Sequence, residues 1–140
     1  MAIAEIRARI DTLAAALRAK DVPRLMAHYA PTNVTFDLRP PLQVVGADGY
    51  QKNFEAWFAS VEGPIGYELR DVRIAASGDL GFAHYLGHVR STRTSGDKTE
   101  YWVRVTTAFQ KLNGEWMVVH EHVSMPFRLD TMQAAADLQP

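Results

Sequence analysis

Ile3, Ile6, Ile10, Leu13 and Leu17 recur at steps of three and four, which lays one apolar stripe along an N-terminal helix. Asp21 reads as the N-cap of a second, short helix that tolerates Pro23 in its first turn. Val22, Leu25, Met26 and Tyr29 form the expected buried face of that helix, and Pro31 ends it. NVTFDL then predicts a short strand, broken by Pro40-Pro41. After a brief apolar stretch at Val44 and Val45, Gly46 opens a third helix. That helix carries Tyr50, Phe54, Trp57 and Val61 on one face and is stopped by Gly63-Pro64.

From Ile65 the period changes from helical to two. Strands are predicted over 67–75, 80–91, 99–112 and 115–124, separated by Ser77-Gly78-Asp79, Ser95-Gly96-Asp97 and Asn113-Gly114. Alternation breaks at Arg70 and Asp71, where a β-bulge would let the sheet curve. Beyond Asp130 a short surface helix and a frayed end both fit. Helices first and long strands after define an α+β fold, a curved antiparallel sheet wrapped around three N-terminal helices. One domain is expected over 1–140, with its core at about 3–127 and a short tail at 128–140. There is no strand–helix alternation, GxGxxG or GxxxxGKS sequence, which argues against nucleotide chemistry.

The last two strands decide which side chains share a face. A two-residue Asn113-Gly114 turn sets Leu112 opposite Glu115, whereas a three-residue loop with Gly114 in the left-handed region sets Lys111 opposite Glu115. The three-residue loop segregates the faces better and is preferred. It groups Trp102, Arg104, Thr106 and Ala108 with His120, His122 and Ser124, and sets Arg104 against His122. Tyr101, Val103, Val105, Phe109, Met117, Val119 and Val123 then fill the opposite face, with Glu121 as its one awkward member.

Composition narrows the classes. The 140 residues carry a formal net charge of -1, so no basic field recruits nucleic acid or an acidic membrane surface. With no cysteine, disulfides, thiolate nucleophiles and Cys-based zinc sites are excluded. The N-terminal segment is interrupted by Glu5, Arg7, Arg9 and Asp11, unlike a signal peptide, and a cytoplasmic protein is expected.

Candidate chemistry centres on Asp37, set between Phe36 and Leu38 just before the Pro-Pro break. In a half-apolar cavity its carboxyl could move protons near neutral pH; a turn or capping aspartate is the plainer alternative. Arg104 could anchor a substrate carboxylate or pair with Asp37. His120 and His122 share a face and are candidate proton partners, while two-residue spacing alone is a weak metal signal, so no metal is expected. His84 is a further candidate. Tyr29, Phe36, Trp57 and Trp102 would supply cavity walls.

The element order, the early VTFDLRPPL, the Gly-x-x-Gly-Tyr helix bearing Trp57, and the ending WVRVT…GEWMVVHEHVSMPF resemble the nuclear-transport-factor-2-like superfamily. The nearest branch is that of SnoaL-like proteins and ketosteroid isomerase homologues. The resemblance runs from about Ile3 to Phe127 and implies a cone-shaped, cystatin-like α+β fold around an apolar cavity. It sets Asp37 near the general-base carboxylate of a steroid isomerase. The oxyanion tyrosine of those enzymes falls near Leu13 and their protonated aspartate near Thr106, so the resemblance supplies neither oxyanion group.

Two readings follow. In the first, the chain is a cofactor-independent acid–base enzyme (an isomerase, cyclase or dehydratase) acting on a small, largely apolar oxygenated compound. Asp37, His122 and His120 would do the chemistry, and Arg104, Trp57, Trp102, Tyr29, Phe36 and His84 would hold the substrate. In the second it is a non-catalytic binding or dimerisation module. A homodimer through the sheet is expected in either case, buried on the apolar face that contains Val105.

Overall fold

Helix α1 (Ala2–Arg18) turns Ile6, Ile10, Leu13 and Leu17 inward in the computed structural model, which describes residues 1–140. Ala14 and Ala16 join that stripe, while Ile3, expected on it, is 55% exposed in the first turn. Asp21 caps α2 (Val22–Met26) by accepting the Arg24 N–H at 3.2 Å. Only Leu25 of that helix is fully buried, because a five-residue helix has too few turns to bury a full stripe. Tyr29 and Pro31, read as the end of α2, instead begin strand β1 (Tyr29–Phe36).

Strand β2 (Val44–Val45) pairs with β1, and α3 (Ala47–Ala59) buries Tyr50, Phe54 and Phe58. Trp57 lies half-buried at the edge of that face. Val61 and the Gly63-Pro64 pair fall beyond α3, within β3 (Val61–Ser77). Strands β4 (Leu80–Arg93), β5 (Lys98–Leu112) and β6 (Glu115–Ser124) complete a six-stranded sheet in the order β2-β1-β6-β5-β4-β3. All neighbours are antiparallel except β1 and β6, which run parallel. The break expected at Arg70–Asp71 is present: the β3–β4 register shifts between Arg70 and Arg73, and Asp71 has φ 57°. The C-terminal segment forms neither helix nor loose tail. Its strands β7 (Phe127–Arg128) and β8 (Gln133–Ala134) make a small hairpin, tied down by an Arg128–Asp137 ion pair at 2.9 Å.

The β5–β6 hairpin corrects the preferred register. Asn113 (φ 50°) and Gly114 (φ 83°) form a two-residue turn with Leu112 opposite Glu115. Both positions need left-handed backbone, which the Asn-Gly pair adopts at little cost. Arg104 therefore lies opposite Ser124, and His122 opposite Thr106. A bulge at Val119 supplies the missing step: Phe109 pairs with Val118, but Ala108 pairs with His120. Before the bulge Trp116 and Val118 face the helices; after it Glu121 and Val123 do.

The larger correction concerns which face is which. Val103, Val105 and Phe109, expected on an exposed dimer surface, are 4%, 3% and 2% exposed and pack against the helices. The apolar stripes of α1 and α3 need an apolar partner, and this is the face that provides it. The opposite face, with Trp102, Arg104, Thr106, His120 and His122, is the outer one.

Candidate functional site

Glu121 sits on β6 between two threonines of the neighbouring strands, Thr107 of β5 and Thr35 of β1, both in register with it. It is 4% exposed, and no cation contacts it. Three hydroxyls replace the lost water. Tyr29 and Tyr50 donate to Oε1 at 2.9 and 2.8 Å, and Thr107 donates to Oε2 at 3.2 Å. Both phenols come from elements that the sheet and α3 bring edge to face, with Tyr29 and Tyr50 ring centroids 5.1 Å apart at 88°.

Burial pushes the Glu121 carboxyl above its ordinary range, while the three hydrogen bonds pull the other way and lose. The tyrosines cannot take up the charge instead. Desolvation, followed by the field of Glu121, raises Tyr29 and Tyr50 well above the usual phenol value. They remain neutral donors. With Oε1 already accepting two phenols, Oε2 is the oxygen with room for a proton.

Glu121 lies in the wall of a cavity of about 260 Å³, lined mostly by apolar and aromatic side chains. Leu13, Leu17, Phe54, Val103 and Val105 form its body, and Tyr67 and Tyr85 widen the hydroxyl-bearing wall. Burial also raises both of these phenols. The half-exposed lining residues mark the open end: Asp37 and Arg39 after β1, Asn53 and Trp57 on α3, and Tyr101 on β5. There Asp37 accepts the Leu38 N–H on Oδ1 at 2.8 Å and the Asn53 amide on Oδ2 at 3.0 Å. The cavity thus has a carboxylate at its mouth and a second carboxyl deep in its wall, and the charge of Asp37 adds to the upward push on Glu121.

Of the residues expected to form the site, Asp37, Tyr29 and Trp57 line this cavity. The others lie outside it. Arg104 is exposed on the outer face, its Nε donating to Ser124 Oγ at 3.1 Å. His120 meets the Val34 carbonyl at 2.6 Å through Nδ1. Phe36 is 37% exposed and stands edge-on to His120 and His122 at 4.8 and 5.4 Å. His122 lines an adjoining, more open hollow with Phe36, Leu42 and Ser124, which shares Asp37, Leu38 and Val123 with the cavity. Trp102 stacks on His88 at 4.4 Å, and His84 lies exposed near Phe82. These positions follow from the inverted face, since every even-numbered residue from 102 to 108 points away from the helices. No group of three His, Asp or Glu side chains is arranged to hold a metal ion.

Sequence reasoning missed Glu121, Tyr50, Thr107, Asn53 and Arg39 as site residues. The available signal was Glu121 itself, a lone acid on an otherwise mostly apolar face.

Comparison with known proteins agrees with this fold. The family profile described as "SnoaL-like domain" matches residues 6–128. A nuclear-transport-factor-2-like protein of unknown function from Pseudomonas putida is 34% identical, with 100% of this chain and 99% of that one covered and a TM-score of 0.89. A ketosteroid isomerase-like protein from Erwinia carotovora shares the fold at 23% identity, covering 86% and 93% of the two chains with a TM-score of 0.75. A nuclear-transport-factor-2-like superfamily protein from Salmonella enterica does so at 19% identity, 89% and 91% coverage and a TM-score of 0.76. A 78-residue stretch, 56% of this chain, is 35% identical to the dynein-1-alpha heavy chain of the flagellar inner arm I1 complex from Chlamydomonas reinhardtii, and spans 2% of that protein's length. No helix is long and apolar enough to cross a membrane.

Proposed function

The chain belongs to the SnoaL-like family, and on that footing we propose that it is a cofactor-independent acid–base enzyme acting on a small, largely apolar oxygenated compound. The observation that carries this reading is the buried Glu121, its carboxyl raised by desolvation and set in the wall of an apolar cavity. A protonated Glu121 is a hydrogen-bond donor to a substrate carbonyl oxygen, with Tyr29 and Tyr50 holding its other oxygen. Asp37, oriented by Asn53 and the Leu38 N–H, takes a proton from the carbon beside that carbonyl. The enolate oxygen is met by the Glu121 proton, and Asp37 returns its proton to a neighbouring carbon. This division of labour uses two carboxyl groups whose surroundings differ. It also replaces the histidines with a group that lines the cavity.

A second reading has its own support. Through three hydroxyls Glu121 ties β6 to β1, α3 and β5. That is a structural bolt suited to a non-catalytic binding module. The partner we propose in either case is a second copy of the chain. It would pack on the outer sheet face, where small Thr106 and Ala108 lie among Phe82, Trp102 and Phe36.

Incubation with cyclic ketones such as 2-tetralone in deuterated water tests the catalytic reading. Wild type should exchange the protons beside the carbonyl faster than buffer, and D37N and E121Q should not. Buffer-level exchange by wild type across the panel, with an ordinary Glu121 pKa, would leave the binding module.

A further inference from the structure

Arg39 is the only cationic side chain that lines the cavity, and its guanidinium is nearly unspent. It makes no ion pair, whereas Arg24, Arg90 and Arg128 meet carboxylates and Arg9, Arg18 and Lys20 donate to well-placed backbone carbonyls. Its one hydrogen bond runs from Nη1 to the Asn53 carbonyl at 3.5 Å, the long limit for such a contact. Asp37, two residues away on the same loop, is not within ion-pair distance of it, and turns its oxygens to the Leu38 N–H and the Asn53 amide instead. A half-buried guanidinium with free donors faces a cavity whose other polar groups, carboxyls, phenols, the Asn53 amide and the Trp57 indole, carry no positive charge.

We propose that Arg39 selects the substrate class: a small ring compound bearing one carboxylate, with a second oxygen function at the far end of the ring. This deepens the acid–base reading given above and rests on it for the role of that second oxygen. The planar guanidinium takes a carboxylate through two parallel N–H···O bonds at the mouth. The ring then occupies the apolar body of the cavity, and the distal oxygen reaches Glu121. Size sets an upper bound. A dry cavity of about 150 Å³ accepts benzene, so about 260 Å³ holds one substituted ring or a compact bicycle. A phosphate ester is the poorer fit, because a dianion would meet a single cation with Asp37 close by.

The experiment compares 4-hydroxybenzoate with its neutral amide, 4-hydroxybenzamide, and with cationic 4-hydroxybenzylamine, by calorimetry or ligand-observed NMR on the full chain. Wild type is expected to bind the acid about tenfold more tightly than the amide, as suits a charge-assisted bidentate pair. R39Q should bring the two to within about twofold by weakening the acid alone, and R39K should fall between. E121Q should weaken both probes and keep the preference for the acid. That separates the two claims: preference without exchange chemistry supports Arg39 and removes the acid–base reading, and exchange without preference does the reverse. Equal binding of acid and amide, preference for the amine, unchanged preference in R39Q, or no binding of any probe to a folded wild type would each overturn the assignment.

Discussion

Tyr50 donates its phenol to Glu121 at 2.8 Å, and this bond joins α3, the helix at the cavity mouth, to the strand at its back. Tyr29 reaches the same oxygen from β1 at 2.9 Å. The two phenols favour the charged carboxylate, and burial opposes it. Burial wins, and the phenols limit how far the Glu121 carboxyl is raised.

Replacing Tyr50 with Phe removes one donor and keeps the ring packing against Phe54. Glu121 should titrate at a still higher pH, visible in carbon-13 NMR of the labelled carboxyl. Urea unfolding should show a loss of about 1–3 kcal/mol, typical of a hydrogen bond to an ionisable group. A Y29F/Y50F double variant should cost less than the sum of the singles, because the two phenols share one acceptor.

The Glu121→Gln variant should change the pH dependence of stability. Glu121 is raised above its ordinary 4.5, so the folded state binds its proton more tightly than the unfolded state. That contribution is fully present below 4.5 and is lost as pH rises through the folded value. Gln cannot ionise. E121Q should therefore gain on wild type with rising pH, and the difference in melting temperature should level off above the folded pKa. A difference independent of pH would mean that Glu121 titrates normally.

His28 should show the opposite dependence. It is 6% exposed, with its Nε2 on Thr12 Oγ1 at 2.8 Å and its Nδ1 at 2.9 Å from the Arg24 carbonyl. Desolvation, then the nearby Arg9, lowers its pKa below 6.5. The neutral ring is favoured in the fold, so stability is present above 6.5 and lost as pH falls through the lowered folded value. H28Q should flatten that acid limb in thermal melts.

The two faces of β5 give a paired test. Val105→Asp places an unpaired carboxylate inside the cavity and should destabilise the monomer by several kcal/mol, on the order of a buried unsatisfied charge. Thr106→Glu, on the exposed outer face, should leave the melting temperature nearly unchanged and split the proposed dimer in sedimentation experiments. Wild-type sedimentation as a monomer at tens of micromolar would remove the dimer.

The fold was legible because its signals are local and redundant. The stripe of α1, the Asp21 cap, the glycine turns and the break at Arg70–Asp71 each declare themselves within a few residues. The site was less so. Asp37, Tyr29 and Trp57 could be placed because their cavity position depends on which elements meet. His120, His122 and Arg104 depended on which sheet face meets the helices, and alternation alone leaves that binary choice open. Segregating polar from apolar positions sorted β5 correctly but placed Trp116 and Val118 of β6 on the wrong face, because the bulge at Val119 was not foreseen; giving the apolar set to a partner failed because α1 and α3 already required it. Glu121 looked like a flaw in that apolar set because its three hydroxyl partners come from distant parts of the chain, Tyr29, Tyr50 and Thr107.

The unpaired residue at Val119 also separates two sets of demands within one strand. From Trp116 to Val118, β6 answers to α1, with Trp116 Nε1 donating to Glu5 Oε2 at 3.2 Å. From Glu121 to Val123 it answers to the cavity, where a change of one atom alters proton affinity. The bulge resets the alternation between them, so that Trp116 and Val118 on one side of it and Glu121 and Val123 on the other all face inward. Without that extra residue the alternation would turn Glu121 outward, away from Tyr29 and Tyr50, and the cavity would lose its buried acid.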